Sequence, residues 1–433
     1  MFKYKNVLIY GYSTSGKAVE RVLINMDINY RIYDDNMKLG GGKYLFKLSK
    51  ADIKKFDLIV VSPGVSIFNK KIMYAESEGI RVISELEFGY LICPYPIIAV
   101  TGTNGKTTVV KMIEHILNVS GYNVKALGNV GQPLTEVVNY ENLDFVIAEV
   151  SSFQLEATYK FKPYIGVLLN IDDDHLDRHK SFENYLRLKV GLFKNCNSKD
   201  FAVLGGQNEI INNFKNVVFT KYVLGQDCFV QNDDIVYEDE VVCKLSELND
   251  VTYIDNVLAV ISVLKIIGLD NAKIVAGINT FVGLSHRLEF VEEIDGVVYY
   301  NDSKSTNPHA TINAVKKLNN YENITLLLGG QDKGFDFAKL ISNLPSNVKR
   351  IVAFGKAKKK IAKVCREKIE CYVYQKMADA VYQAKLITED GVVLLSPACA
   401  SFDEFDSYAH RGDCFKKQVL SFGESTMSKG EVC

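Results

Sequence analysis

At roughly 150 residues per domain, a chain of 433 residues has room for about three domains, which excludes a single small module. Its 51 basic and 52 acidic residues leave a net charge of −1, so no general field draws it to nucleic acid or an acidic membrane, and any polyanion site has to be local. Apolar residues at 47% and charged residues at 24% are the balance of an ordinary globular chain with a large core, and 30 Gly with 8 Pro are too few for a collagen-like or low-complexity one.

The amino terminus, MFKYK, runs straight into a β-like stretch, Asn6 to Tyr10, without a long apolar leader. Nine cysteines, odd in number and without a C-x-x-C pair, argue against a disulfide framework or a thiolate zinc site and predict a reducing, cytoplasmic setting. No window approaches the ~18 consecutive apolar residues of a membrane span. The expected fold class is α/β. Short β-branched runs alternate with amphipathic stretches, the pattern of parallel sheets covered on both faces.

The first series of strands is expected at Asn6 to Tyr10, Tyr30 to Tyr33, Leu58 to Val61 and Arg81 to Ile83. A glycine loop, Gly11 to Gly16, follows the first strand but has Ser13 where a dinucleotide fingerprint has its middle glycine. A phosphate-binding turn and a plain structural turn both remain open there. Asp34 and Asp35 end the second strand, and Ser62-Pro-Gly64 follows the third. Pro94 and Pro96 punctuate the chain and set a boundary between residues 1–92 and 93–284.

The second series begins at Ile97 to Val100 and continues at Phe145 to Val150 and Ile165 to Leu169. Hairpins or mixed strands are expected between Phe201 and Val242, then a helix at Asp255 to Ile267. Its first strand opens into Gly102-Thr-Asn-Gly105-Lys106-Thr107 and an amphipathic helix. The strict G-x-x-x-x-G-K-[ST] pattern fails, because Val100 stands five residues before Gly105. The chemistry of a phosphate cradle still holds. Glycines let backbone N–H groups face a polyphosphate, a helix N-terminus adds positive potential, Lys106 offsets charge, and the Thr107 hydroxyl suits Mg²⁺. Glu149 ends a strand, and Asp172 to His175 lie just beyond another, so a hard cation could take Glu149 and His175 as ligands. Lys189, in a predicted helix, reads by composition as a surface lysine.

The third series is expected at Gly296 to Tyr300, Ile324 to Leu328, Arg350 to Phe354 and Val392 to Leu395, within residues 285–433. The turns after three of these strands, Asn301 to Pro308, Gly329 to Lys333 and Ser396 to Phe405, each carry small, polar or charged residues. Together they suggest a site on one sheet edge. The lysine run Lys356 to Lys360 reads as a solvated helix face.

The strings TGTNGKTT, GNVG, EVSSFQLE, DDDHLDRH, HRLE, NDSKSTNPHAT, GGQDKG and SPACASFDEF, in this order, resemble the Mur ligases of bacterial cell-wall synthesis, in particular the D-glutamate-adding branch. The phosphate loop is also shared with folylpolyglutamate synthetases. The resemblance implies a Rossmann-like amino-terminal domain for UDP, a central P-loop-type ATPase domain and a Rossmann-like carboxy-terminal domain for the amino acid. It implies a monomeric, ATP-dependent ligase of UDP-N-acetylmuramoyl-L-alanine and D-glutamate that works through an acyl phosphate with two Mg²⁺ ions. For ATP it points to Gly102, Thr103, Asn104, Gly105, Lys106, Thr107, Thr108, Asn256, Arg287 and Asp302. For the UDP substrate it points to Ser15, Asp34, Asp35, Gly64, Asn129 and His175. For D-glutamate it points to Thr306, Lys333, Ser401 and Tyr408. Thr107, Glu149, His175 and a carbamylated Lys189 would hold metal. The sequence departs from the family at Ser13, at Asn36 where a basic residue is expected, and across Asp250 to Asn256, where the final asparagine alone matches.

Overall fold

The computed structural model describes residues 3–37, 41–249, 254–365 and 368–427. The expected adenine segment at Thr252 and Tyr253 lies outside them, whereas Asn256 lies within. The chain divides into two compact units, residues 1–281 and 282–433.

The first unit contains two parallel sheets and a small antiparallel one. In the first sheet the order is Asn29–Tyr33, Asn6–Tyr10, Leu58–Val61, Arg81–Ser84, all parallel. Because side chains alternate along a strand, Val7 and Ile9 pack on one face and Leu8 and Tyr10 on the other, so both faces are core. In the second sheet the order is Thr220–Val223, Phe201–Leu204, Ile165–Leu168, Ile97–Thr101, Phe145–Glu149, Val124–Gly128, again all parallel. Strand order reverses about Ile97–Thr101, so the crevice that gathers ligands in open α/β sheets falls at the end of that strand. The antiparallel meander is Cys228–Gln231, Asp234–Tyr237 and Glu240–Lys244. The hairpin expectation therefore holds from residue 228 onward. Phe201–Leu204 and Thr220–Val223 instead join the large sheet in parallel, because the helical turns between them carry the chain back to the same edge, so the stretch holds both kinds of pairing.

Buried carboxylates knit the first two sheets together. Glu87 accepts hydrogen bonds from the backbone N–H groups of Tyr159, Lys160 and Phe161 at 3.0, 2.7 and 2.9 Å. Glu85 accepts from the N–H and hydroxyl of Thr135 at 2.7 and 2.6 Å. Buried donors left without such acceptors would cost several times what an exposed pair contributes.

The second unit is a six-stranded sheet in the order Glu289–Ile294, Val297–Asn301, Gly391–Leu395, Ile324–Gly329, Val348–Phe354, Glu370–Val373, with the first pair antiparallel and the rest parallel. The three strands the periodicity did not reveal, Val124–Gly128, Glu289–Ile294 and Glu370–Val373, are all edge strands. Edges carry charge to discourage further pairing, so they lack the continuous apolar signature. The Lys356 to Lys360 run does open onto a helix, Lys358–Cys365, with Lys359 and Lys360 exposed. The eight described cysteines are all free thiols.

Candidate active site

The strand Ile97–Thr101 ends in the phosphate loop, and the helix Lys106–Val119 starts from it with Gly105 as N-cap. Gly105 has φ +86°, which favours glycine, and a Cβ there would stand 2.3 Å from Oδ1 of Asn256, whose side chain comes from the helix Ile254–Ile267. Asn170, just past the strand Ile165–Leu168, closes the loop from the other side. Its Oδ1 accepts from Asn104 N at 2.8 Å and its Nδ2 donates to Asn104 O at 3.2 Å. The Thr103 hydroxyl accepts from Asp172 N at 3.0 Å and lies 3.2 Å from the Tyr185 hydroxyl. Thr107 sits in the first helical turn, almost fully buried, and Thr108 beside it is half-buried.

Two lysines meet on this loop. Lys106 Nζ donates to the carbonyls of Gly102 and Thr103 at 2.7 and 2.9 Å. Lys189, from the helix Phe182–Val190, donates to the same Gly102 carbonyl at 2.7 Å. The surface reading of Lys189 is corrected: its residue is 1% exposed, because the aliphatic stem runs into the core and the amine stops over the Tyr185 ring, 4.6 Å from its centroid. Burial, and next the Lys106 charge, push the Lys189 amine well below the usual lysine range, against weaker pulls from Asp174 and Glu149. Its neutral form is thereby favoured, and a neutral amine is a nucleophile.

Glu149 ends the neighbouring strand. Its Oε1 accepts from Asn129 Nδ2 at 3.0 Å, while Oε2 is buried and has no hydrogen-bond partner. A buried carboxylate oxygen without a partner, at the end of the strand beside the one that carries the phosphate loop, fits a cation. Among the described residues no group of three His, Cys, Asp or Glu side chains is set to hold a metal. The expected set differs in kind, combining Glu149 with a hydroxyl, an imidazole and a modified lysine.

His175 has φ +53° at the start of a one-turn helix, Leu176–His179, with its ring 4.7 Å from that of Phe153. His179 is buried, its Nε2 2.9 Å from the Ser152 hydroxyl and its Nδ1 3.4 Å from Glu156. The strings EVSSFQLE and DDDHLDRH thus form one packed block. Glu156 and Arg178 lie inside those strings but carry no assigned role from the sequence, and Asn170 and Tyr185, which lie outside them, are not among the candidate site residues.

At the first sheet, Ser15 lies in the first turn of the helix Thr14–Asn25, and Gly64 is exposed in the turn after the third strand. Asp34 accepts from Tyr12 N at 2.7 Å and Asn36 N at 2.8 Å. Asp35 accepts from the hydroxyls of Tyr10 and Tyr33 at 2.5 and 2.9 Å, from Lys71 Nζ at 2.6 Å and from Asn69 Nδ2 at 3.4 Å. Burial alone would raise the Asp35 carboxyl, but hydrogen bonds from Lys71, Tyr10 and Tyr33 outweigh it and hold it below the usual range. A carboxylate has about four lone-pair sites, and here the protein's own donors take all four. Asp35 therefore shapes this sheet edge from within.

In the second unit, Asp302 follows the strand Val297–Asn301, fully buried. It accepts from the Ser396 hydroxyl at 2.7 Å and Leu288 N at 3.2 Å, which hangs the Arg287 segment on it. The buried Arg411 guanidinium donates to the Ser303 hydroxyl and carbonyl at 2.9 and 2.8 Å and to Cys399 O at 3.1 Å. It fastens the NDSKST turn to the SPACAS turn. Ser401 is buried, Thr306 and Tyr408 are half-buried, and Lys333 is exposed.

Burial raises Asp302 from an ordinary 3.8 to about 6, against hydrogen bonds from Ser305, Ser396 and Leu288 N–H and the charge of Arg287. The folded state then binds more protons than the unfolded one between those values, so this group's contribution to stability falls as pH rises from about 4 to about 6 and is level above. At ~1.4 kcal/mol per unit, Asp302→Asn should gain about 3 kcal/mol on the wild type between pH 4 and pH 7 in urea unfolding. A difference between the two proteins that stays constant with pH would refute this.

Two family models match the chain, the Mur ligase middle domain over residues 100–273 and the Mur ligase glutamate ligase domain over residues 286–399. Among curated proteins, the chain is 38% identical to the UDP-N-acetylmuramoylalanine–D-glutamate ligase of Pelotomaculum thermopropionicum over 97% of this chain and 98% of that one. It is 36% identical to the ligase of the same name from Caldicellulosiruptor bescii, over 96% and 98%. Among solved structures it resembles a pseudomurein peptide ligase type C from Methanothermus fervidus, with TM-score 0.64, 17% identity and coverage of 96% and 100%. It also resembles the UDP-N-acetylmuramate–alanine ligase MurC of Thermotoga maritima, with TM-score 0.60, 17% identity and coverage of 97% and 100%.

Proposed function

We propose, because this chain belongs to the Mur ligase family and within it to the D-glutamate-adding ligases, that it joins D-glutamate to UDP-N-acetylmuramoyl-L-alanine at the expense of ATP. A carboxylate oxygen of the UDP substrate attacks the γ-phosphorus, and ADP leaves. The D-glutamate amine then attacks the acyl-phosphate carbonyl, loses a proton, and phosphate departs as the amide forms. The first step brings two anions together, so its barrier is chiefly electrostatic.

The observation that carries this reading is the convergence of Lys106, Lys189 and the partnerless Glu149 Oε2 at the switch point of the second sheet. Lys106 and the loop N–H groups are assigned to the ATP phosphates, with Gly102 to Thr108, Asn256, Arg287 and Asp302 contacting the nucleotide. Thr107, Glu149, His175 and Lys189 are the residues that would hold Mg²⁺, as two ions, and bound Mg²⁺ would neutralise charge developing on the phosphates. Lys189 is assigned as a carbamate: its neutral amine attacks the carbon of CO₂ and releases a proton, turning a cation beside the metal site into an anionic oxygen ligand. The carbamate nitrogen keeps one N–H for the Gly102 carbonyl.

Ser15, Gly64, Asn129 and His175 are assigned to the UDP substrate, with Asp34 and Asp35 shaping that edge. Thr306, Lys333, Ser401 and Tyr408 are assigned to D-glutamate. Residues 1–92, 93–284 and 285–433 then divide the work into holding UDP, activating the carboxylate and delivering the amine, in a monomer acting in the cytoplasm. No helix among the described residues is long and apolar enough to cross a membrane. Phosphate release from ATP should require both UDP-N-acetylmuramoyl-L-alanine and D-glutamate, with product mass showing one added glutamyl unit. Preference for L-lysine, diaminopimelate or L-alanine would overturn the substrate assignment.

A further inference from the structure

Arg178 has no part in the chemistry above, yet it makes four hydrogen bonds. Its Nε and Nη2 donate to the two carboxylate oxygens of Glu156 at 2.9 and 2.5 Å. Its Nη1 donates to the Pro63 carbonyl at 2.8 Å, and Nη2 also donates to the Val65 carbonyl at 3.1 Å. The guanidinium lies over the Phe153 ring, 4.3 Å from its centroid. The Glu156 side chain is 1% exposed and that of Arg178 14%, so this pair is largely shielded from solvent.

The geometry ties together three segments. Glu156 and Phe153 belong to the block beside the phosphate loop. Pro63 and Val65 flank Gly64, in the turn after the third strand of the first sheet. Arg178 itself lies three residues after His175, on a single helical turn bracketed by positive φ values of 53° at His175 and 71° at Lys180. One turn of helix is not stable by itself, so its placement is set by what its side chains grip. The planar, five-donor fork suits this: two donors lock the carboxylate while others reach the two carbonyls.

We propose that Arg178, held by Glu156, is a positioning residue that couples the Gly64 turn to His175 and so sets affinity for the UDP-linked substrate without touching it. The inference rests on the assignment of Gly64 and His175 to that substrate. With the fork intact, both contacts are held in register before the substrate arrives. Without it, part of the binding free energy goes into ordering the turn.

The test is Arg178→Lys, which keeps the charge but loses the fork, together with Glu156→Gln. In steady-state assays the KM for UDP-N-acetylmuramoyl-L-alanine should rise about 10- to 100-fold in Arg178→Lys, with the KM values for ATP and D-glutamate and kcat within about threefold. Glu156→Gln should move the same KM in the same direction, and the double variant should lose less than the product of the two. Calorimetry with UDP-N-acetylmuramoyl-L-alanine alone should show the matching loss of affinity, while a non-hydrolysable ATP analogue binds as to wild type, which also shows that the variant is folded. Unchanged KM for the UDP substrate, a fall in kcat alone, or an equal weakening of the ATP analogue would overturn the proposal. Wild type that neither binds nor turns over the UDP substrate would overturn the functional reading and this inference with it, whereas a normal wild type with an indistinguishable Arg178→Lys would overturn this inference alone.

Discussion

Lys189→Ala should lower the rate of acceptor-dependent phosphate release by about 10²- to 10³-fold, the range seen when one preorganised group facing developing charge is removed. The residue is buried against Tyr185, so part of the change could come through packing; chemical rescue separates the two causes. A small carboxylate such as formate or acetate can enter the space left by the stem and supply anionic oxygens, so millimolar amounts should restore a measurable part of the activity to Lys189→Ala and none to Lys106→Ala. Carbon-13 bicarbonate should give wild type, and not the variant, a carbamate carbon resonance. The depressed proton affinity of this amine makes the modification feasible near neutral pH, where an ordinary lysine is almost wholly ammonium. Full activity of Lys189→Ala without added carboxylate would remove Lys189 from the machinery.

Lys106→Ala should be the more severe loss, about 10³-fold or greater in kcat/KM, or roughly 4 kcal/mol of transition-state stabilisation. Its ammonium is held at the loop by the Gly102 and Thr103 carbonyls, within the first turn of the helix whose N-terminus faces the crevice. The substitution removes a positive charge at the point where carboxylate and phosphate must approach, and it leaves the loop glycines and Asn170 in place. The protein should therefore keep its unfolding temperature while losing turnover, a combination that thermal melts and phosphate release measure together. Turnover within tenfold of wild type would sink the phosphate-cradle assignment.

Much of the frame could be read from local pattern. The strands Asn6–Tyr10, Leu58–Val61 and Ile97–Thr101 are apolar on both faces because helices cover both sides, and that leaves an unbroken run in the sequence. The loop Gly102 to Thr107 was legible for a related reason: positive φ at Gly102 and Gly105, a lysine and a hydroxyl must all be adjacent in the chain to wrap a phosphate. The edge strand Glu289–Ile294 escaped because its charges break the period.

What the chain determined by itself is therefore the α/β class, the carboxyl-edge loops and the family. Those depend on residues a few positions apart. The state of Lys189 was decided by the tertiary structure. Tyr185, one turn earlier on the same helix, is near in sequence, but the Gly102 carbonyl and the Lys106 charge come from a segment more than 80 residues away, and burial against that segment displaces the proton affinity of Lys189. The same holds for Asp35, whose acceptor sites are filled by nearby Tyr33 and by Tyr10, Asn69 and Lys71 from 25 to 36 residues away, and for Arg178, whose partners lie 22 and more than 100 residues away. Charge and hydrogen bonding act over a few ångströms of space, and in these cases only folding brought the groups within that distance.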